Sequence, residues 1–185
     1  MRFRHCPDCG QTLGAKEIGD EGLVPYCEAC GRPWFDMFAS CVIVLVTRED
    51  GRVALLRQDY MSTQYRVLVS GYMKPGERAE DTARREVQEE IGVTLGELRL
   101  IGTQWFGKRD MLMIAFIGRA ENTDLTLSGE VDSADWFEPE EAIRLVHPKG
   151  PGNASYYLME TYLRERQQAP ATAAAATAAV QITAG

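Results

Sequence analysis

Residues 71–93 read GYMKPGERAEDTARREVQEEIGV, a loop with glycine and proline that runs into a helical pattern. Apolar residues recur at four-residue spacing in its second half, which predicts a helix over residues 78–90. Gly92 stands where a helix ends in the left-handed conformation that glycine adopts at low cost. The stretch therefore predicts a strand end, a turn and a capped helix, in that order.

Three acidic residues of this helix, Glu86, Glu89 and Glu90, occupy positions i, i+3 and i+4 and so share one face. Like charges at this spacing repel one another, and a divalent cation is their natural counter-charge. A cluster of oxygen ligands suits Mg2+ or Mn2+. Glu77 and Arg85 flank the helix, and an ion pair between them would fix the loop beside the site. The alternative is a solvated acidic helix face, the common fate of a generic Glu-Glu pair.

The spacing of this stretch resembles the signature of the Nudix hydrolases, G-x5-E-x7-R-E-U-x-E-E-x-G-U, where U is aliphatic. The chain meets all nine constrained positions in one contiguous block. They are Gly71, Glu77, Arg85, Glu86, Val87, Glu89, Glu90, Gly92 and Val93.

The resemblance implies a fold and a reaction. The fold is the Nudix α/β/α sandwich, a mixed β-sheet between helices, over residues 39–166. The reaction is hydrolysis of a nucleoside diphosphate linked to another moiety, by attack of water on a phosphorus of the pyrophosphate. The resemblance implies that Glu86 and Glu90 are the main ligands of Mg2+ or Mn2+ and that Glu89 is a third ligand or the water-activating base. It also implies that the Ser70 carbonyl lies at the metal and Gly71 at the phosphates. Arg85 and Glu77 are implied to form a supporting pair.

Glu130 stands in an acidic segment a few residues before a short predicted strand over residues 134–137. In Nudix enzymes that carry a zinc ribbon, an acid at the corresponding place before an Ala-x-Trp strand approaches the metal cluster, and Glu130 resembles that acid. The alternative is an acid in a surface loop.

Residues 1–38 carry two C-x2-C pairs, Cys6 with Cys9 and Cys27 with Cys30, separated by seventeen residues and each followed by glycine. Two such pairs can place four thiolates tetrahedrally around Zn2+, which predicts a small zinc ribbon. The zinc is expected to be structural because its four positions are filled. Disulfides or redox chemistry are the alternative, and Cys41 is predicted to be a buried core thiol.

A zinc ribbon joined directly to a Nudix domain resembles the NADH pyrophosphatase group, whose specificity signature S-Q-P-W-P-F-P precedes a Leu-Met strand. Residues 103–113 read TQWFGKRDMLM, which keeps Gln104, Trp105 and Phe106 but lacks the three prolines. A flexible, basic loop replaces the proline-fixed one, so the substrate pocket must differ in shape. Trp105, Phe106 and Tyr72 have two alternative roles: they stack on the ligand, or they pack in the core.

Hydrophobic patterns place the remaining elements. A hairpin is predicted from strands 41–47 and 52–57, and further strands over 66–69, 98–105, 111–118 and 134–137. Helices are predicted over 140–146 and from Asn153 or Ser155 to Arg166. The Ala/Thr-rich residues 167–185 are predicted to form a disordered tail.

The charge balance limits the classes of partner that the chain is expected to bind. The 185 residues carry 20 Lys and Arg against 27 Asp and Glu, a net charge of −7, which argues against a broad nucleic-acid-binding surface. The expected partner is a dinucleotide or nucleoside-diphosphate substrate, with RNA only as a capped substrate. No apolar run approaches the roughly 18 residues that span a bilayer, so a cytoplasmic protein without membrane contacts is expected. A homodimer is implied by family analogy alone.

The leading functional hypothesis is cleavage of NAD(H) to AMP and nicotinamide mononucleotide. Hydrolysis of ADP-ribose or FAD, or removal of an NAD cap from RNA, would use the same chemistry. A hypothesis of another class is a non-catalytic nucleotide-sensing module whose ribbon binds nucleic acid or protein. The complete set of carboxylates argues against that class.

Overall fold

The computed structural model describes residues 3–168. Its first part is a three-stranded antiparallel sheet of β1 (Gly14–Glu17), β2 (Leu23–Cys27) and β3 (Arg32–Pro33). These strands are short and mostly exposed, so the small sheet buries little apolar surface of its own. A unit of this size needs another source of stability, such as a bound metal.

A six-stranded mixed sheet follows, and it confirms the predicted α/β fold class. The strand order is β7-β8-β4-β5-β9, with β6 paired to β4. β4 runs parallel to β8, whereas the other neighbouring strands are antiparallel. The strands are β4 (Ala39–Thr47), β5 (Val53–Arg57), β6 (Val69–Tyr72), β7 (Leu95–Phe106), β8 (Met111–Ala120) and β9 (Ser133–Phe137).

Helices cover both faces of this sheet. α1 (Ala79–Ile91) lies on one face, and α2 (Pro139–Leu145) and α3 (Ala154–Gln168) lie on the other. β4 is buried on both faces, as its continuous β-branched run requires. Its alternate residues divide between two apolar clusters: Cys41, Ile43 and Leu45 on the α2/α3 side, and Val42, Val44 and Val46 on the α1 side.

α1 has the predicted amphipathic pattern. Ala83, Val87 and Ile91 are fully buried against the sheet, which leaves the opposite face of the helix to charged residues. Gly92 ends the helix in the left-handed conformation with φ 69°, and its N–H donates to the Gln88 carbonyl. The predicted cap is therefore confirmed.

Several elements begin or end one or two residues from the predicted positions, and three parts of the sheet differ further from the sequence-based expectation. The strand predicted over 66–69 lies at Val69–Tyr72, because β4 pairs with those residues while Arg66 and Val67 form only isolated bridges. The predicted hairpin pairs only at Thr47 and Val53, since β6 takes the rest of that edge of β4. β7 is longer than predicted and contains two register shifts.

The predicted helices after residue 139 are present as α2 and α3, and Cys41 is buried as predicted. Of the predicted disordered tail, Gln167 and Gln168 end α3, and residues 169–185 lie outside the described residues. Within residues 3–168, no helix is long and apolar enough to cross a membrane.

Candidate functional site

The backbone of β6 forms one wall of the candidate site. Gly71 pairs with Val42, and the Met73 N–H donates to the Ser40 carbonyl at 3.0 Å. Because bonded and non-bonded residues alternate along an antiparallel pair, Ser70 and Tyr72 direct their N–H and C=O groups away from β4. Both sets of groups face the site: the Ser70 N–H acts to lower the pKa of the Glu90 carboxylate, and the Tyr72 carbonyl accepts from Arg85 Nη2 at 3.3 Å.

Glu86 lies directly against Gly71. A Cβ atom added at Gly71 would be 1.9 Å from Cδ of Glu86 and 2.2 and 2.3 Å from its two carboxylate oxygens. Only a residue without a side chain leaves room for this carboxylate beside the strand. The close approach of helix and strand is therefore the physical reason for the glycine that begins the motif.

Arg85 joins the acidic residues of the motif. Its Nε and Nη2 donate to the two carboxylate oxygens of Glu77 at 2.8 and 2.9 Å, so the predicted ion pair is present and bidentate. Its Nη1 donates to Glu86 at 2.7 Å and to Glu89 at 2.9 Å. One guanidinium thus fixes the loop and supplies a positive charge to two carboxylates of α1.

Glu77 is anchored more firmly than the sequence indicated. Besides Arg85, it accepts hydrogen bonds from the Lys74 N–H at 3.0 Å and from Thr82 Oγ1 at 2.8 Å. The Arg85 guanidinium, followed by the Lys74 N–H, lowers the pKa of Glu77 to about 2. Sequence reasoning missed Thr82, because a threonine in a first helical turn carries no signal of its own.

Glu90 is the buried carboxylate of the site. It is 6% exposed, and within residues 3–168 its Oε2 atom has no hydrogen-bond partner. Burial, followed by the charges of Glu86 and Glu130, raises the pKa of Glu90 to about 8. An ionised carboxylate in this position needs a nearby positive charge. Arg85 does not supply it to Glu90, because its guanidinium is bonded to Glu77, Glu86 and Glu89.

Glu130 reaches the same site from a distant part of the chain. The Ser128 N–H donates to the Glu90 carbonyl at 3.1 Å and the Thr126 N–H to the Ile91 carbonyl at 3.0 Å, which lays residues 126–131 along the end of α1. A cleft of about 260 Å³ results. It is lined by Glu86, Glu89, Glu90, Ser128, Gly129 and Glu130.

This cleft fits a divalent cation in its chemistry. It offers only oxygen ligands, one of them a buried carboxylate oxygen that has no partner within residues 3–168, and the neighbouring carboxylates raise the pKa of Glu90. Within residues 3–168, no three of these carboxylates have ligand atoms that all lie within 4.8 Å of one another. Arg85 accounts for part of this spacing, since it draws Glu86 and Glu89 toward the Glu77 side.

The four predicted zinc ligands come together. In the part of the chain that the structure describes, Cys6, Cys9, Cys27 and Cys30 are the only group of three or more potential ligands whose atoms all lie within 4.8 Å. The sulphurs of Cys6 and Cys30 are 3.9 Å apart and those of Cys9 and Cys27 are 3.6 Å apart. Sulphurs around a tetrahedral zinc ion at about 2.3 Å are separated by about 3.8 Å. The donor set and the spacing both fit Zn2+.

The same sulphurs are free thiols rather than disulfides. Hydrogen bonds with Cys9 and then Cys27 raise the pKa of Cys30 to about 12, since thiolates crowd one another without a cation. Gly10 and Gly31, which follow the two pairs, adopt φ values of 75° and 65° and close the turns with N–H groups that donate to the carbonyls of Cys6 and Cys27.

The sheet separates the predicted substrate-binding residues. Tyr72 pairs with Cys41 on the α2/α3 side, and its hydroxyl lies 3.6 Å from the Met111 sulphur. Gln104 pairs with Met113, and Phe106 packs against the same cluster. These three residues therefore lie on the opposite face of the sheet from Glu86.

Trp105, in contrast, lies on the α1 side, because successive residues of a strand point to opposite faces. It is 48% exposed, and its ring packs edge-on against the ring of Phe38, with the ring centroids 5.4 Å apart. Three strand spacings, roughly 14 Å, separate β7 from β6. The glutamate side of the sheet thus carries an exposed aromatic ring three strands away from Gly71.

The comparison with protein families matches one model to this chain. The family described as "NUDIX domain" covers residues 37–159.

Two curated relatives illustrate the sequence similarity. The NAD-capped RNA hydrolase NudC of Pseudomonas syringae pv. tomato is 32% identical over 170 residues, which cover 90% of this chain and 58% of that protein. Human NAD-capped RNA hydrolase NUDT12 is 30% identical over 152 residues, covering 78% of this chain and 33% of that protein. This chain therefore spans little more than half the length of the bacterial relative.

Solved structures share the fold. A NUDIX hydrolase from Nitrosomonas europaea superposes with a TM-score of 0.73 at 18% identity, covering 90% of this chain and 94% of that one. The NUDIX domain of Shewanella oneidensis NrtR, solved with ADP ribose, superposes with a TM-score of 0.58 at 13% identity, covering 77% and 94%.

Proposed function

The chain belongs to the Nudix family, and from this membership we propose that it is a metal-dependent hydrolase that cleaves the diphosphate of a nucleoside-diphosphate-linked substrate. We propose NAD(H) as the main substrate, with AMP and nicotinamide mononucleotide as products. The observation that carries the proposal is the buried Glu90 carboxylate, which has an oxygen without a partner among residues 3–168 and three acidic neighbours in a cleft of about 260 Å³.

Glu86 and Glu90 would hold Mg2+ or Mn2+, with Glu89, Glu130 and the Ser70 carbonyl as further ligands. When bound, the cation neutralises the diphosphate and lowers the pKa of the attacking water. The Ser70 carbonyl supports this set because its strand directs it away from β4, on the side where its N–H meets Glu90. Gly71 lets the backbone lie close to Glu86, which supports its proposed place beside the phosphates.

Glu89 is the best placed residue to accept the proton of the attacking water. Its side chain is 55% exposed, whereas the side chain of Glu86 is 13% exposed and Glu90 is buried. Water therefore reaches Glu89 first. Arg85 Nη1 donates to the Glu89 carboxylate and limits its movement, and Glu77 holds Arg85 in turn.

The two halves of the substrate would contact different residues. Trp105 presents an exposed ring on the glutamate side, suited to stacking on a base, and Lys108 and Arg109 are exposed at the adjoining hairpin tip. Tyr72, Gln104 and Phe106 form a second group on the other face, at the same end of the sheet. A dinucleotide, which has an aromatic ring at each end, fits this division better than a mononucleotide does.

Residues 1–38 are proposed to be a zinc ribbon and residues 39–166 the hydrolase domain. Zinc would be structural, because its four cysteine ligands leave no position for substrate. Four cysteines grouped as metal ligands support a cytoplasmic location, where thiols stay reduced. Formation of a homodimer is supported by the family resemblance alone.

An NAD cap on RNA is the second candidate substrate, and the named activity of the two relatives favours it. It would be cut at the same diphosphate by the same residues. ADP-ribose and FAD are the remaining enzymatic alternatives. A nucleotide sensor without activity is the alternative of another class.

A substrate panel tests the proposal. NADH, NAD+, ADP-ribose, FAD, diadenosine polyphosphates and NAD-capped RNA would be compared by kcat/KM, with Mg2+ and with Mn2+. We expect the highest value for NAD(H), no turnover without the divalent ion, and none in Glu90→Gln. Binding of nucleic acid with a steep salt dependence and no turnover of any dinucleotide would instead support the sensor.

A further inference from the structure

Gln58 is a buried polar side chain that the catalytic proposal does not use. It is 2% exposed, and within residues 3–168 its Nε2 atom has no hydrogen-bond partner. Its backbone carbonyl is occupied, since it accepts from the N–H groups of Met61 and Ser62 at 2.8 and 3.0 Å. A buried amide donor without an acceptor destabilises the fold, so the presence of glutamine at this position needs a physical explanation.

The strand before Gln58 directs its side chain toward the α1 side of the sheet. Ala54 and Leu56 belong to the apolar cluster under α1, and Gln58 is the next residue in that alternation. Val131, which follows Glu130, belongs to the same cluster. The Gln58 amide thus lies on the face that carries the glutamates.

Two contacts tie the turn after Gln58 to the segment of Glu130. The Asp59 N–H donates to Asp132 Oδ2 at 2.7 Å, and the Asp132 N–H donates to the Arg57 carbonyl at 2.9 Å. Tyr60, in the same turn, has its pKa raised by burial and then by the charges of Glu90 and Glu130. The turn that begins at Gln58 is therefore close enough to Glu90 and Glu130 for their charges to act on it.

Two buried atoms of complementary chemistry have no hydrogen-bond partner within residues 3–168. They are the amide donor of Gln58 and a carboxylate acceptor of Glu90. We propose that Gln58 is a positioning residue of the acid site, whose amide donates to the Glu90 carboxylate through one water molecule and so fixes its orientation toward the divalent cation. The inference rests on the proposed function, because it takes Glu90 as a metal ligand. Groups that orient metal ligands in this way commonly change metal affinity by about tenfold or more.

Direct measurement of Mn2+ binding by electron paramagnetic resonance tests this role without relying on turnover. Gln58→Met keeps the length of the side chain and removes the donor. We expect its Mn2+ dissociation constant to rise about tenfold, with kcat lowered at limiting metal and KM for NADH unchanged. Thr47→Val is the matched control: it removes a different buried polar group, a hydroxyl that donates to the Gly118 carbonyl at 3.2 Å, and it should leave Mn2+ binding unchanged.

A second measurement uses the unaltered protein, in case Gln58→Met does not fold. The side-chain amide resonances of Gln58 should shift on titration with Mg2+ and exchange more slowly with solvent. A folded Gln58→Met protein with a Mn2+ dissociation constant within twofold of the original, or Gln58 resonances that Mg2+ leaves in place, would overturn the inference. Failure of the unaltered protein to bind Mn2+ would count instead against the proposed function itself.

Discussion

Replacement of Gly71 by alanine tests the contact that joins β6 to α1. The new Cβ would be 1.9 Å from Cδ of Glu86, whereas carbon atoms in contact are about 3.5 Å apart. The carboxylate must therefore move by roughly 1.5 Å, and displacements of about 1 Å at a reacting centre cost about 100-fold in rate. We expect kcat for NADH hydrolysis at saturating Mg2+ to fall by about 100-fold.

The fold should survive this substitution. Gly71 lies in extended β6 without a left-handed φ, and the obstructing atoms are the end of a flexible side chain. The free energy of unfolding should change by less than about 1 kcal/mol, measured by urea denaturation. Gly150→Ala is the control, since its Cβ would meet only the Pro148 carbonyl at 3.9 Å. A folded Gly71→Ala protein with kcat within threefold of the original would refute the argument that this close approach positions Glu86.

Three further predictions address other parts of the molecule. Glu130→Gln should lower turnover at saturating Mg2+ by about tenfold or more, whereas Glu140→Gln, at an exposed site in the same acidic segment, should not; equal activity of the two variants would remove Glu130 from the site. Glu90 has a folded pKa of about 8, above the unfolded value of about 4.3, so the folded state binds more protons between these limits. The free energy of unfolding without added Mg2+ should therefore fall as pH rises from about 5 to 8, and Glu90→Gln should flatten this slope in urea titrations; parallel slopes would contradict the assignment. Cys27→Ser should lose bound zinc and lower the melting temperature, because metal binding is coupled to folding, while Cys41→Ala should keep its zinc; a stable, zinc-free Cys27→Ser protein would argue against a structural metal.

Local spacing was sufficient to predict α1 and its charged face. Positions i, i+3 and i+4 meet on any helix, so Glu86, Glu89 and Glu90 needed no tertiary information to share a face. The left-handed cap at Gly92 follows from the same local geometry. The two cysteine pairs were also readable, because close pairs of thiols separated by a short loop converge on one metal ion.

Pairing between distant strands was harder to predict. The Ser-Gly sequence within β6 weakens its strand pattern, and the strand was expected three residues too early. β7 was expected to be shorter, since its two register shifts interrupt the alternation. Thr82 and Gln58 were not identified, because their importance comes from which neighbours they meet or lack in the folded chain.

The sequence by itself determined the family, the helix that carries the acids and the four thiols, since each of these depends on residues that are near one another in the chain. Only the tertiary structure decided that Glu130 lines the cleft, that Ser70 turns its backbone toward Glu90, and that Trp105 shares the glutamate side of the sheet while Tyr72 does not. The physical reason is register: side chains alternate between the faces of a sheet, so a shift of one residue in strand pairing exchanges the two sides, and no local pattern fixes that register across distant strands.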